Sequence, residues 1–125
     1  MRAGRRAILA GAGGIALARP VLAQEFASRP VTIIVPSPAG GGTDFSARLI
    51  SEPLSQRLGV PVVVENRSGG NGTIGLLAGK RARPDGYTLV VGYSGSMTGR
   101  PAVEGIADID TVGDFAPAAM LTATP

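Results

Sequence analysis

Apolar residues in this chain come in short β-branched runs, separated by glycine-rich polar loops and by stretches with helical spacing. Val31–Val35, bounded by Pro30 and Pro36, predicts a buried strand. Phe45, Leu49, Ile50, Leu54 and Leu58 then recur at helical spacing, with Thr43 or Asp44 as the expected cap and Gly59 as the expected C-terminal stop. Pro53 falls inside that helix and is expected to kink it or end its first half. Residues 62–64 predict a second buried strand. A second helix should start at Asn71 or Thr73 and run to about Arg81. Pro84-Asp85-Gly86 is a turn signal, and residues 87–91 predict a third strand. Residues 103–114 carry four acids and no base, which reads as a solvated connection, and residues 115–122 are expected to form a fourth strand.

The order βαβαβ with near-continuous apolar strands predicts an α/β fold: a parallel sheet with helices on both faces and right-handed crossovers. Every glycine loop then falls at the carboxyl ends of the strands, the edge where open α/β sheets bind ligands.

The N-terminus changes the charge picture. The chain has 125 residues, 12 basic and 9 acidic, for a net charge of +3. Arg2, Arg5, Arg6 and Arg19 lie in residues 1–23, which hold no acid. The remainder therefore has 8 basic against 9 acidic residues, a net of −1. Nucleic acid is not an expected partner for such a balance. Residues 1–23 read instead as an export signal: a basic start, an apolar stretch of about 12 residues, and Val21-Leu22-Ala23 as an A-x-A-like cleavage site. That stretch is short of the roughly 20 apolar residues needed to span a bilayer. Arg5-Arg6 fits a twin-arginine signal, or a Sec signal that holds two arginines. Either route places the mature protein in the periplasm, cleaved near Ala23. Gly11-Ala12-Gly13-Gly14-Ile15-Ala16 imitates a dinucleotide fingerprint, but no strand precedes it and it belongs to the leader.

The chain has no Cys and no His. That removes thiol chemistry, disulfides, His/Cys metal sites and the Ser-His-Asp triad. What remains is glycine-loop chemistry. In the first loop, Ala39, Gly40, Gly41, Gly42, Thr43 and Asp44 offer bare amides and a hydroxyl at a helix start, which suits a carboxylate. Asp44 itself, while ionised, is expected to cap the helix or to accept from a ligand ammonium. The second loop brings Ser68, Gly69, Gly70 and Asn71. Gly70-Asn71-Gly72-Thr73-Ile74-Gly75 matches G-x-G-x-x-G, but the ribose-binding acid expected about 20 residues on is missing, and the nearest later acid is Asp85, in a turn. The third loop offers the hydroxyls of Ser94 and Ser96, and misses G-x-S-x-G because position 96 is Ser. No cofactor and no metal are expected. The alternatives are a small nucleotide-dependent α/β enzyme using Gly70 to Gly75, or a structural module with ordinary βα turns.

The strings Arg29-Pro30-Val31-Thr32-Ile33-Ile34-Val35-Pro36, Ala39-Gly40-Gly41-Gly42-Thr43-Asp44, Gly59-Val60-Pro61-Val62-Val63-Val64-Glu65-Asn66-Arg67, Pro84-Asp85-Gly86-Tyr87-Thr88-Leu89 and Asp114-Phe115-Ala116-Pro117 resemble, in this order, the Bug-type or TctC receptors. These are solute-binding proteins of tripartite tricarboxylate transporters. The resemblance implies a monomeric, non-enzymatic receptor of the type II periplasmic-binding-protein (Venus-flytrap-like) fold that closes two lobes on a small carboxylate and delivers it to transporter membrane subunits. It maps the ligand loops onto residues 39–44, 68–71 and 94–96. Family members have roughly 300 residues. The chain is therefore expected to supply part of one lobe: a βαβαβ unit in residues 24–98, and a connection beginning the crossover to a second lobe in residues 99–125. Residues 99–107 depart from the family's aromatic and Asn-Pro pattern.

Overall fold

A computed structural model describes residues 27–99 and 109–122. The export signal and most of the stretch after residue 99 lie outside the described residues. The described elements are β1 (Val31–Val35), α1 (Gly42–Leu58), β2 (Val62–Asn66), a one-turn 3-10 segment (Gly70–Gly72), α2 (Thr73–Lys80), β3 (Thr88–Val90) and a wide helical turn at Gly95–Gly99. All three strands are parallel, in the order β2-β1-β3. Val31 pairs with Val62, Val35 with Asn66, and Ile33 lies between Val64 and Leu89.

The central strand is almost wholly buried: Val31, Ile33, Ile34 and Val35 are each 3% exposed or less. Its alternation divides the core between two faces. Ile33 and Val35 join Ala47 of α1, with Ile50, Val62, Val64, Leu89 and Val91 around them. Ile34 and Val90 take the other face, which α2 covers. α2 lies close because its sheet-facing residues are small. A methyl placed on Gly75 would sit 2.7 Å from Pro36 Cα, and one on Gly79 would run into Val90. Leu76 is fully buried between these two glycines. One helix on each face is what right-handed crossovers demand of the order β2-β1-β3.

Several expectations change. The stripe along α1 splits: Ala47 and Ile50 pack on the sheet, while Phe45 and Leu49 stand 67% and 64% exposed. Pro53 does not end the helix, which runs unbroken to Leu58. Pro53 is exposed, so the Leu49 carbonyl it leaves without a donor lies on the solvent side, where water serves it. The N-cap is Gly41, not Thr43 or Asp44, and it makes no side-chain cap. At the far end Gly59 is left-handed (φ 69°) and returns its amide to Ser55, as anticipated. Residues 115–122 form no strand. Pro117 falls inside the segment and has no amide to donate to a ladder, and among the described residues no strand pairs with the free edge of β3.

The amino ends of the strands carry a polar anchor. The Tyr87 hydroxyl accepts the amides of Ala27 and Ser28, each at 3.0 Å. Arg29 stacks over the Tyr87 ring and pairs with Asp85. Donation from Ser28 and the backbone holds the Tyr87 phenol below its ordinary value. At the C-terminal end of α2, Lys80 pairs with Asp114 at 2.8 Å, fastening the turn at residues 110–114.

Candidate functional site

Three connections leave the carboxyl ends of β1, β2 and β3, and they meet at Gly72. Gly72 is buried and left-handed (φ 97°). A methyl there would lie 2.8 Å from Ser96 Cβ, 3.1 Å from the Tyr93 hydroxyl and 3.4 Å from the Pro36 carbonyl oxygen. Only glycine permits both the dihedral and that approach. The fold thus brings the loops containing Ala39 to Asp44, Ser68 to Asn71, and Ser94 to Ser96 to one edge. In the order β2-β1-β3, the connections from β1 and β2 depart to opposite faces, the arrangement at which open α/β sheets bind ligands.

The loops are not equivalent. After β1, Gly40 takes φ 85° and Gly41 is extended, which brings the chain into α1. Ala39, Gly40, Gly41 and Gly42 are exposed and Thr43 is half-buried. The amides of Gly41, Gly42 and Thr43 make no hydrogen bond among the described residues, as geometry requires of a first helical turn. They stand at the positive end of a 17-residue helix. The second loop turns its donors inward. Gly72 and Ile74 give their amides to the Gly69 carbonyl, while Thr73 gives both its amide and its hydroxyl to Gly70. Gly69, Gly70, Asn71 and Gly72 all have positive φ, which makes this fold-back possible. Ser68, Gly69, Gly70 and Asn71 are exposed at its rim.

Asp44 is the buried charge of the site, 3% exposed. Its Oδ2 accepts the Gly40 amide at 2.9 Å and Arg48 Nε at 3.0 Å; its Oδ1 accepts Asn66 Nδ2 at 3.0 Å. Asn66 also donates to the Ser37 carbonyl at 3.2 Å, and its own Oδ1 accepts Arg48 Nη2 at 3.3 Å. The Arg48 hydrogen bond first, then those from Gly40 and Asn66, hold the Asp44 carboxyl at about 2. Both oxygens are committed within the protein. Asp44 therefore shapes the loop from inside, and the acceptor for a ligand ammonium expected from the sequence is already spent. Asn66, absent from the residues anticipated for the site, is central to this network. Its signal was its position as the last residue of β2, paired with the last residue of β1.

Ser94 is exposed. Ser96 is 1% exposed and donates to the Tyr93 carbonyl at 3.1 Å, so its hydroxyl closes its own helical turn instead of lining an open rim. The Tyr93 hydroxyl donates to the Asn71 carbonyl at 3.4 Å, tying the third loop to the second. The cations beside the loops are engaged, Arg48 by Asp44 and Arg67 by Glu65 at 2.9 Å. Among the described residues, an anion at these loops meets amide dipoles, with Arg48 and Arg67 already paired.

Parallel strands that deliver glycine loops and an open helix N-terminus to one edge define an α/β ligand-binding lobe. The chain belongs to the tripartite tricarboxylate transporter receptor family, TctC, whose model matches residues 46–125. Members of this family are solute-binding receptors, not enzymes. The chain is 46% identical over 78 residues to the protein BugT of Bordetella pertussis, covering 62% of this chain and 24% of BugT. Among solved structures, MatC of Rhodopseudomonas palustris with bound malate superimposes with a TM-score of 0.73 at 38% identity, over 77% of this chain and 33% of MatC. A second R. palustris protein, solved with adipate, gives 0.56 at 40% identity, over 58% of this chain and 24% of that one. The chain spans about a quarter to a third of the length of these relatives.

Proposed function

We propose that this chain supplies the first carboxylate-gripping jaw of a periplasmic receptor for small dicarboxylates, which serves a tripartite tricarboxylate-type transporter. The observation that carries the reading is the open first turn of α1: three amides uncommitted among the described residues, at the sheet edge where the connections from all three strands emerge. A carboxylate is the simplest ligand whose geometry and charge suit such a turn. MatC was solved with malate and its neighbour with adipate, both dicarboxylates, which supports the same class here. Gly41, Gly42 and Thr43 supply the amides. Ala39, Ser68, Gly69, Gly70, Asn71 and Ser94 form the rim that reads the rest of the ligand. The basic leader ending near Ala23 exports the chain, and closure of a second lobe removes the ligand from water.

Calorimetric titration of the full-length gene product, without its leader, tests this. Malate or adipate should bind with micromolar affinity, and NAD and ATP should give no heat. Binding of NAD in preference to either dicarboxylate would overturn the reading in favour of a nucleotide site at Gly70 to Gly75.

A further inference from the structure

The loop between β1 and α1 must hold its amides apart from its own carbonyls if they are to meet a ligand. Glycines do not do this unaided, because they are the least restricted residues in the chain. Something has to fix them. Asn66 reaches the loop at both ends. Its Nδ2 donates directly to the Ser37 carbonyl at the loop entrance. The same nitrogen donates to Asp44 Oδ1, while Asp44 Oδ2 receives the amide of Gly40 at the loop exit. Ser37 to Gly40 is thus bracketed by two side chains from different elements. Arg48 closes the ring by donating to Asp44 and to Asn66 Oδ1.

Asn is the side chain that fits. Two acceptors, a carbonyl and a carboxylate, face its NH2, and a guanidinium faces its oxygen. Asp offers no donor to either acceptor.

We infer that Asn66 is a positioning residue for the carboxylate grip, clamping the first glycine loop in the conformation that leaves the amides of Gly41, Gly42 and Thr43 open. The inference rests on the carboxylate-receptor reading for its ligand. The clamp itself is a separate structural claim.

Asn66→Asp places a second carboxylate about 3 Å from Asp44. Two carboxylates so close cannot both ionise freely, and one of them retains a proton to higher pH. The charged neighbours are few. Arg48 faces the pair from α1, the loop after β1 presents the Ser37 carbonyl, and Glu65 of β2 and Arg67 just beyond it are paired with each other.

The test is a malate titration of the full-length gene product from pH 5 to 8, with thermal melts alongside. Wild-type affinity should be flat over that range. Asn66→Asp should bind about tenfold more weakly at pH 8 and recover toward pH 5 as the pair takes up its proton. Asn66→Ser, which keeps one donor and fits without crowding, should bind severalfold more weakly at every pH. A purely structural Asn66 would lower the melting temperature and leave both the affinity and its pH profile unmoved; that result overturns the inference. Should wild type bind neither malate nor adipate, the receptor reading fails on its own. Amide exchange at Gly40, followed by 15N NMR, then decides the clamp: faster exchange in Asn66→Ser upholds it, and unchanged exchange refutes it.

Discussion

Replacing Gly42 with proline removes one backbone donor from the site and almost nothing else. Gly42 is the first residue of α1, a position where proline is tolerated because its amide has no partner within the helix. Gly41 ahead of it is extended, at φ −79° and ψ 169°, the conformation a residue before proline prefers. A Cβ at Gly42 would meet nothing within 4 Å. Restricting the unfolded chain should therefore stabilise the fold by about 0.4–1 kcal/mol. That corresponds to a rise of a few degrees in Tm for a domain of this size. If the Gly42 amide donates to a ligand carboxylate, its loss costs about 1.5–3 kcal/mol, on the order of 10- to 150-fold in Kd. Gly42→Ala restores the N–H while keeping a side chain at the same position. Thermal melts and dicarboxylate titrations of the two variants separate fold from grip. Equal Kd values for Gly42→Pro and Gly42→Ala, with Tm preserved in both, would refute the assignment of this amide as a ligand donor.

Gly75→Ala runs against helix propensity. Alanine gains about 1 kcal/mol in a helix interior, but its methyl would lie 2.7 Å from Pro36 Cα and 3.0 Å from the Arg67 carbonyl oxygen. Overpacking of about 1–3 kcal/mol should win, so denaturant unfolding should show net destabilisation; a gain would refute the close contact. Leu76→Ala empties a fully buried site between α2 and the sheet and should cost about 2–5 kcal/mol in the same assay; a loss below about 1 kcal/mol would show that α2 is not tightly docked. Asp44 has its folded value lowered from 3.8 to about 2, so its stabilising contribution is full above pH 4 and is lost as pH falls toward 2. Asp44→Asn should flatten that part of the acid-unfolding profile measured by circular dichroism, and an unchanged slope would contradict the buried network.

Local punctuation made the strands and helix ends legible in the sequence. Pro30 and Pro36 bracket β1, and Gly59 stops α1 by adopting a left-handed conformation that few other residues tolerate. The family resemblance read from the glycine loops agrees with the family match and with the solved relatives. Side-chain reach across elements was not legible. Spacing placed Asp44 at a helix start but could not reveal that Asn66, 22 positions later, fills its second oxygen. Nor could composition separate the two glycine loops. Both look equally bare, yet successive positive φ values let the amides of Gly72, Thr73 and Ile74 reach carbonyls of the second loop, while those of Gly41, Gly42 and Thr43 reach none among the described residues. The segment at residues 115–122 has strand-like composition, but strand formation needs an edge partner, and composition does not supply one.

The Tyr87 anchor fixes more than local geometry. Its hydroxyl holds the amides of Ala27 and Ser28 at the amino ends of the strands, the pole opposite the glycine loops. Ala27, where the described residues begin, therefore lies at the pole away from the glycine loops. A tag, fluorophore or surface linker attached on that side would leave the mouth of the site facing solution. Immobilisation through a linker joined at Ala27 is accordingly expected to leave the glycine loops facing solution.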